Sequence, residues 1–240
     1  MWRAAAGDDD HNVRGKGGWI LTREEMLFED REDAGRRLAE RLASYADERP
    51  VVFALPRGGV PVGAEVSRSL NAPLEVIVSR KLGAPDQQEF GIGAVAPGGV
   101  RVLNERAVAF LGIEKDYLDR VSAREAAEVT RRMRLFRGDR PYPDLVGHTA
   151  ILVDDGLATG VTAHAALLAL RRLRPLRLVL AAPVCALQTA ELLRPETDEL
   201  IFLLTPSDLR AVGLWYRNFE QVPDEEVIRL LEEARDPTKQ

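Results

Sequence analysis

Short apolar runs alternating with stretches of helical periodicity constrain this 240-residue chain more than any other feature. Val51 to Leu55, Leu74 to Val78, Ala150 to Val153, Leu178 to Val184 and Leu200 to Leu204 read as buried strands. Near-continuous apolar strands separated by helices imply a mostly parallel central sheet flanked by helices on both faces, an α/β fold. Sites in such sheets lie outside the carboxyl ends of the strands. Four segments fall at such ends in this reading: Arg57, Arg80-Lys81, Asp154-Asp155 and the residues after Leu204.

Composition excludes several classes. With 45% apolar and 30% charged residues the chain is an ordinary globular one, long enough to bury a sizeable core. A net charge of −5 argues against a general nucleic-acid binder. No apolar stretch approaches the length of a membrane span, and the N-terminus lacks a secretory-type apolar segment, so a cytoplasmic location is expected. The single cysteine, Cys185, lies in an apolar run and reads as a packing residue. His11, His148 and His164 are too scattered to suggest a metal site. Arginine outnumbers lysine 29 to 4.

Residues 1–18 carry Asp8-Asp9-Asp10 with little to bury and read as a flexible tail, leaving 19–240 as one domain. An amphipathic helix is expected from Phe28 to Tyr45, and further helices over Pro61 to Leu70, Lys115 to Arg137, Ala163 to Leu173, near Gln188, and Pro223 to Ala234. The charged face of the Lys115 helix reads as solvated. Residues 83–91 read as a long mobile loop, and Ile92 to Ala96 with Val100 to Leu103 as a β-hairpin. Gly91-Ile-Gly93-Ala-Val-Ala96 fits a dinucleotide pattern but lacks the strand–turn–helix setting, and no P-loop occurs.

The chemistry concentrates in Ala150 to Thr162. A buried strand delivers Asp154 and Asp155 into a Gly- and Thr-rich turn that opens a helix. Loop amides and a helix N-terminus suit a phosphate, and the adjacent carboxylates suit sugar hydroxyls or a divalent cation. Pro56-Arg57-Gly58-Gly59 forms a second turn where paired glycines let the backbone approach an anion. Arg80-Lys81 is a basic pair in which the rare lysine supplies a compact charge. Trp215, Tyr216 and Phe219 offer rings that can stack on a base or pack in the core.

Ala150 to Thr162 resembles the 5-phosphoribosyl 1-diphosphate (PRPP) motif of the type I phosphoribosyltransferases. Leu55-Pro56-Arg57-Gly58-Gly59 resembles that family's diphosphate loop, most closely the form in xanthine phosphoribosyltransferases. The resemblance implies a phosphoribosyltransferase-like domain with a small hood, formed by the N-terminal segment and about 206–240. Asp154 and Asp155 would address the ribose hydroxyls and hold Mg²⁺, directly or indirectly. Ala158, Thr159, Gly160, Val161 and Thr162 would bind the 5-phosphate. Arg57, Gly58 and Gly59 would bind the diphosphate, with Arg80 and Lys81 stabilising it as it leaves. Trp215, Tyr216 and Phe219 would contact the acceptor, and a strained or cis peptide at Arg57 would fit the family. The family also implies a homodimer, with PRPP and a small-molecule acceptor as partners and neither nucleic acid nor membrane.

In 6-oxopurine transferases an aspartate stands just before the Thr-Gly of this loop, near N7 of the base. Ala158 holds that position here, which leaves the acceptor open among a purine, a pyrimidine, another base or an amine. Two further readings stay open: a non-catalytic PRPP-binding regulator of the same fold, and a hydrolase of a phosphorylated sugar nucleotide. Arg57, Arg80 and Lys81 favour a transferase.

Overall fold

The computed structural model describes residues 27–235, together with the backbone of Val13–Arg14 and Ile20–Leu21, which pair antiparallel. The remainder of the tail expected over 1–18 lies outside the described residues.

Five strands form a wholly parallel sheet: β1 (Pro50–Ala54), β2 (Leu74–Val76), β6 (Thr149–Val153), β7 (Arg177–Val184) and β8 (Glu199–Leu204). Their spatial order is β8-β7-β6-β1-β2. Successive side chains of a strand point to opposite faces, and here both faces are covered. Val52, Ala54, Ile151, Val153, Val179 and Ala181 belong to one core layer. Val51, Phe53, Ala150, Leu152, Leu178 and Leu180 belong to the other. This two-sided burial explains why these strands read as continuous apolar runs.

The first layer is closed by α1 (Arg31–Leu42), α2 (Gly59–Leu70), α4 (Lys115–Arg137) and α7 (Asp224–Glu233). The second is closed by α5 (Val161–Arg172) and α6 (Leu187–Leu193). Phe28 precedes α1 instead of starting it: Asp30 caps the helix by accepting from the Asp33 amide at 2.8 Å. A 3₁₀ turn over Ala43–Glu48 then carries the chain past Tyr45 into β1.

The expected mobile loop at 83–91 is mostly strand. β3 (Arg80–Ala84), β4 (Gln87–Ala96) and β5 (Val100–Leu103) form a separate antiparallel sheet, so the expected hairpin is its second half. Pro85-Asp86 makes the tight turn, with Asp86 at φ +60°. The strand before it is correspondingly short. β2 ends at Val76, and Arg80-Lys81 open the small sheet instead of closing a parallel strand. A short helix, α3 (Glu105–Phe110), follows β5.

The face of α4 is not wholly solvated. Glu125 and Arg137 are buried on it. Arg137 pairs with Glu75 at 2.7 Å and lies 3.9 Å over the Tyr142 ring. Among the described residues, no helix is long and apolar enough to cross a membrane.

Candidate active site

β1 and β6 are hydrogen-bonded neighbours, with Ala54 opposite Val153. The pairing continues one step further, the Leu55 amide donating to Val153 O at 2.9 Å. The loops leaving these strands therefore emerge side by side, and Arg57-Gly58-Gly59 comes against Asp154-Asp155. A Cβ on Gly58 would stand 1.9 Å from Asp155 Oδ2, and one on Gly59 would stand 2.9 Å from Val153 O. At Gly59 the nearest obstructing atoms are backbone, so the close approach favours glycine there, whereas at Gly58 a Cβ would have to displace the Asp155 carboxylate. The Pro56–Arg57 peptide bond is cis.

The second loop is anchored from beneath. Leu157 bridges to buried Cys185, and the Thr189 hydroxyl donates to Ala158 O. Gly160 turns the chain into α5 at φ +68°, where a Cβ would also stand 2.5 Å from Thr189 Cγ2. The N-cap residue Gly160 has no side chain to cap α5, which leaves its first-turn amides for an anion. Thr159 is exposed and Thr162 half-buried at this opening.

Asp154 Oδ1 accepts from the Asp155 amide at 2.9 Å. Burial pushes the Asp154 carboxyl well above the ordinary aspartate range, and the neighbouring Asp155 charge pushes it further. Asp155 is held at both ends. Its Oδ2 accepts from Arg31 Nε at 2.8 Å, and its carbonyl accepts from the Tyr216 hydroxyl at 2.6 Å. Burial and the Asp155 charge raise the Tyr216 phenol.

Arg31 escaped the sequence reading. Its Nη1 also donates to Glu220 O at 2.7 Å, and its guanidinium carbon lies 3.8 Å from the Phe219 ring centroid. Tyr216 packs between Phe219 and Phe28, with centroids 4.9 Å and 5.3 Å away. The phenol of Tyr216 thus supports the acidic loop. Phe219 lies under Arg31, and Trp215 is half-buried at the edge of the same cluster.

The basic residues divide. A Cβ on Gly91 would lie 3.1 Å from Lys81 Cδ and 3.9 Å from Val161 Cγ1, so the Lys81 stem and the first side chain of α5 both approach Gly91. Lys81 Nζ pairs with Glu89 Oε2 at 3.0 Å. Arg80 instead turns onto α4, with Nε 3.0 Å from Glu125 Oε2. Arg57 Nη1 lies 3.6 Å from Asp224 Oδ1 in the first turn of α7.

Residues 25–203 match the family model of the phosphoribosyl transferase domain, and the chain belongs to that family. Two Mycobacterium tuberculosis proteins, from strains CDC 1551 / Oshkosh and ATCC 25618 / H37Rv, are each 45% identical over 208 residues. Their names describe them provisionally as phosphoribosyl transferases. The match covers 87% of this chain and 47% of each relative, so the chain spans about half their length. The crystal structure of TT1426 from Thermus thermophilus is 42% identical, with a TM-score of 0.73, covering 87% of this chain and 99% of that one.

Proposed function

We propose that the chain transfers the 5-phosphoribosyl group of PRPP to a nitrogen nucleophile, a nucleobase or related acceptor, releasing diphosphate. One observation carries this reading: the glycine loop of β1 touches the acidic doublet of β6, so diphosphate and ribose sites would adjoin as PRPP requires. The C1–O bond to diphosphate breaks as the C1–N bond forms, through an oxocarbenium-like state with negative charge growing on the leaving group. In this reading the amides of 158–162 hold the 5-phosphate, and Asp154 and Asp155 receive the ribose hydroxyls. Arg57 and Lys81 balance the departing charge, and Arg80 joins them only by leaving Glu125 on α4. Trp215 and Phe219, in a hood formed with the N-terminal segment, border the acceptor, while Tyr216, buried between Phe28 and Phe219, supports them from behind.

Among the described residues, no group of three or more His, Cys, Asp or Glu could hold a metal ion. The oxygen donors of the adjacent Asp154 and Asp155 at the end of β6 do fit a hard cation that completes its shell with substrate oxygens. Bound there, Mg²⁺ would supply charge neutralisation for the diphosphate. A cytoplasmic homodimer is part of the proposal.

A second reading has its own support. Arg57, Arg80 and Lys81 each face a carboxylate, as a PRPP-binding regulator without leaving-group chemistry would allow. Incubating the protein with PRPP, Mg²⁺ and a panel of bases and amines, while following diphosphate, separates the readings. Acceptor-dependent release supports transfer, acceptor-independent release a hydrolase, and tight binding without turnover a regulator.

A further inference from the structure

We infer that Arg31 is a positioning residue for PRPP: it aims Asp155 at the ribose and ties the aromatic segment 215–220 to the PRPP loop. The inference rests on the phosphoribosyl-transfer reading above.

Arg31 is the first residue of α1. A cation in a helix's first turn opposes the helix dipole, so helix stability does not account for it. Its side chain reaches instead to a loop 124 residues away in sequence. There the guanidinium makes three contacts. Nε holds Asp155 Oδ2, Nη1 holds the Glu220 carbonyl, and the plane lies on Phe219. The side chains of Arg31 and Asp155 are only 11% and 14% exposed, so the pair is little screened by solvent.

With Oδ2 fixed by Arg31 and the main chain fixed by Tyr216, the Asp155 carboxylate has one orientation. Its Oδ1 is assigned to a ribose hydroxyl. Gly58 makes this orientation possible, since Oδ2 sits in the space that a Cβ on Gly58 would fill. Because the same guanidinium grips Glu220 and Phe219, displacement of the 215–220 segment is felt at Asp155. The acceptor side and the PRPP side are thereby joined through one residue. Lysine, a point charge on a flexible stem, cannot bridge both oxygens and stack at once.

The test is calorimetric titration of the full chain with PRPP and Mg²⁺, and separately with diphosphate and Mg²⁺, alongside thermal unfolding. Arg31→Met should weaken PRPP binding about ten-fold or more, while diphosphate, which has no ribose, changes less than about two-fold. Arg31→Lys should recover part of the PRPP loss. Unchanged PRPP affinity in Arg31→Met, or equal loss of both ligands, overturns the role. Failure of the unsubstituted chain to bind PRPP overturns the transfer reading itself. Should Arg31→Met not fold, Phe219→Leu removes the stacking partner alone. It should show a smaller loss with the same preference for PRPP over diphosphate, and equal PRPP affinity there also overturns the role.

Discussion

Gly58 and Asp155 occupy one another's space: a Cβ on the glycine would stand 1.9 Å from Asp155 Oδ2, the same oxygen that Arg31 holds at 2.8 Å. The glycine loop and the acidic loop are therefore a single packed unit built from neighbouring strands. Gly58→Ala must push the Asp155 carboxylate away from Arg31. Since the displaced atom is the end of a side chain, the fold should survive at a cost of about 1–3 kcal/mol. PRPP affinity should fall about ten-fold or more. Isothermal titration with thermal unfolding checks both, and an alanine variant that binds PRPP like the parent argues against Asp155 as a ribose ligand.

Asp154→Asn should trade binding for stability. The carboxyl titrates well above its usual 3.8 in the folded chain because burial and Asp155 disfavour its charge. Between the two values the folded state keeps a proton that the unfolded state has released, so stability falls as pH rises through that window. Asparagine does not titrate. Its melting temperature should exceed the parent's at neutral pH by roughly 2–4 °C for each kcal/mol of relieved charge. The gap should close toward about pH 3, where both carboxyl states are protonated. Calorimetry across pH gives the comparison, and a gap independent of pH refutes the buried-charge account. PRPP binding should drop in the same variant.

The parallel strands were legible because two-sided burial leaves an unbroken apolar signature, and the acidic turn because Asp154-Asp155 and Gly160 sit at a strand end. The small sheet was less legible. Gln87 to Phe90 are exposed and polar-flanked, so β4 begins without the alternation that marks a half-buried strand. Arg80 and Lys81 looked like a strand terminus because Ile77 and Val78 prolong the apolar run past the point where β2 stops pairing at Val76. Arg31 gave no local signal in a chain carrying 29 arginines. Its partners Asp155, Phe219 and Glu220 are brought to it by tertiary packing alone.

Lys81 and Glu89 should behave unequally on substitution. Their 3.0 Å pair joins a partly exposed amine to a fully exposed carboxylate, so solvent screens it, and the amine keeps a 2.8 Å bond to the Glu89 main-chain carbonyl when the carboxylate is lost. Glu89→Gln should change PRPP affinity less than about three-fold and leave the melting temperature alone. Lys81→Met, removing the charge at the start of β3, should lower kcat about ten-fold or more if the amine stabilises departing diphosphate. Steady-state assays of diphosphate release compare the two. A larger effect from Glu89 than from Lys81 would make the carboxylate the functional member of the pair.

The turn into α5 offers a test of the phosphate site that does not touch the acidic doublet. Gly160 adopts φ +68°, and a Cβ there would press 2.5 Å from Thr189 Cγ2, the residue whose hydroxyl holds Ala158 O. Gly160→Ala meets both penalties, a left-handed backbone and a steric overlap, and should cost about 1–3 kcal/mol while shifting the amides that follow. Thr189→Val keeps the shape but removes the donor, leaving Ala158 O without that bond at about 1 kcal/mol. Both should weaken ribose 5-phosphate binding, Gly160→Ala more than Thr189→Val, whereas diphosphate binding at the β1 loop should change little. Equal loss of both ligands would mean that the α5 turn is scaffolding shared by the whole site, not the seat of the 5-phosphate.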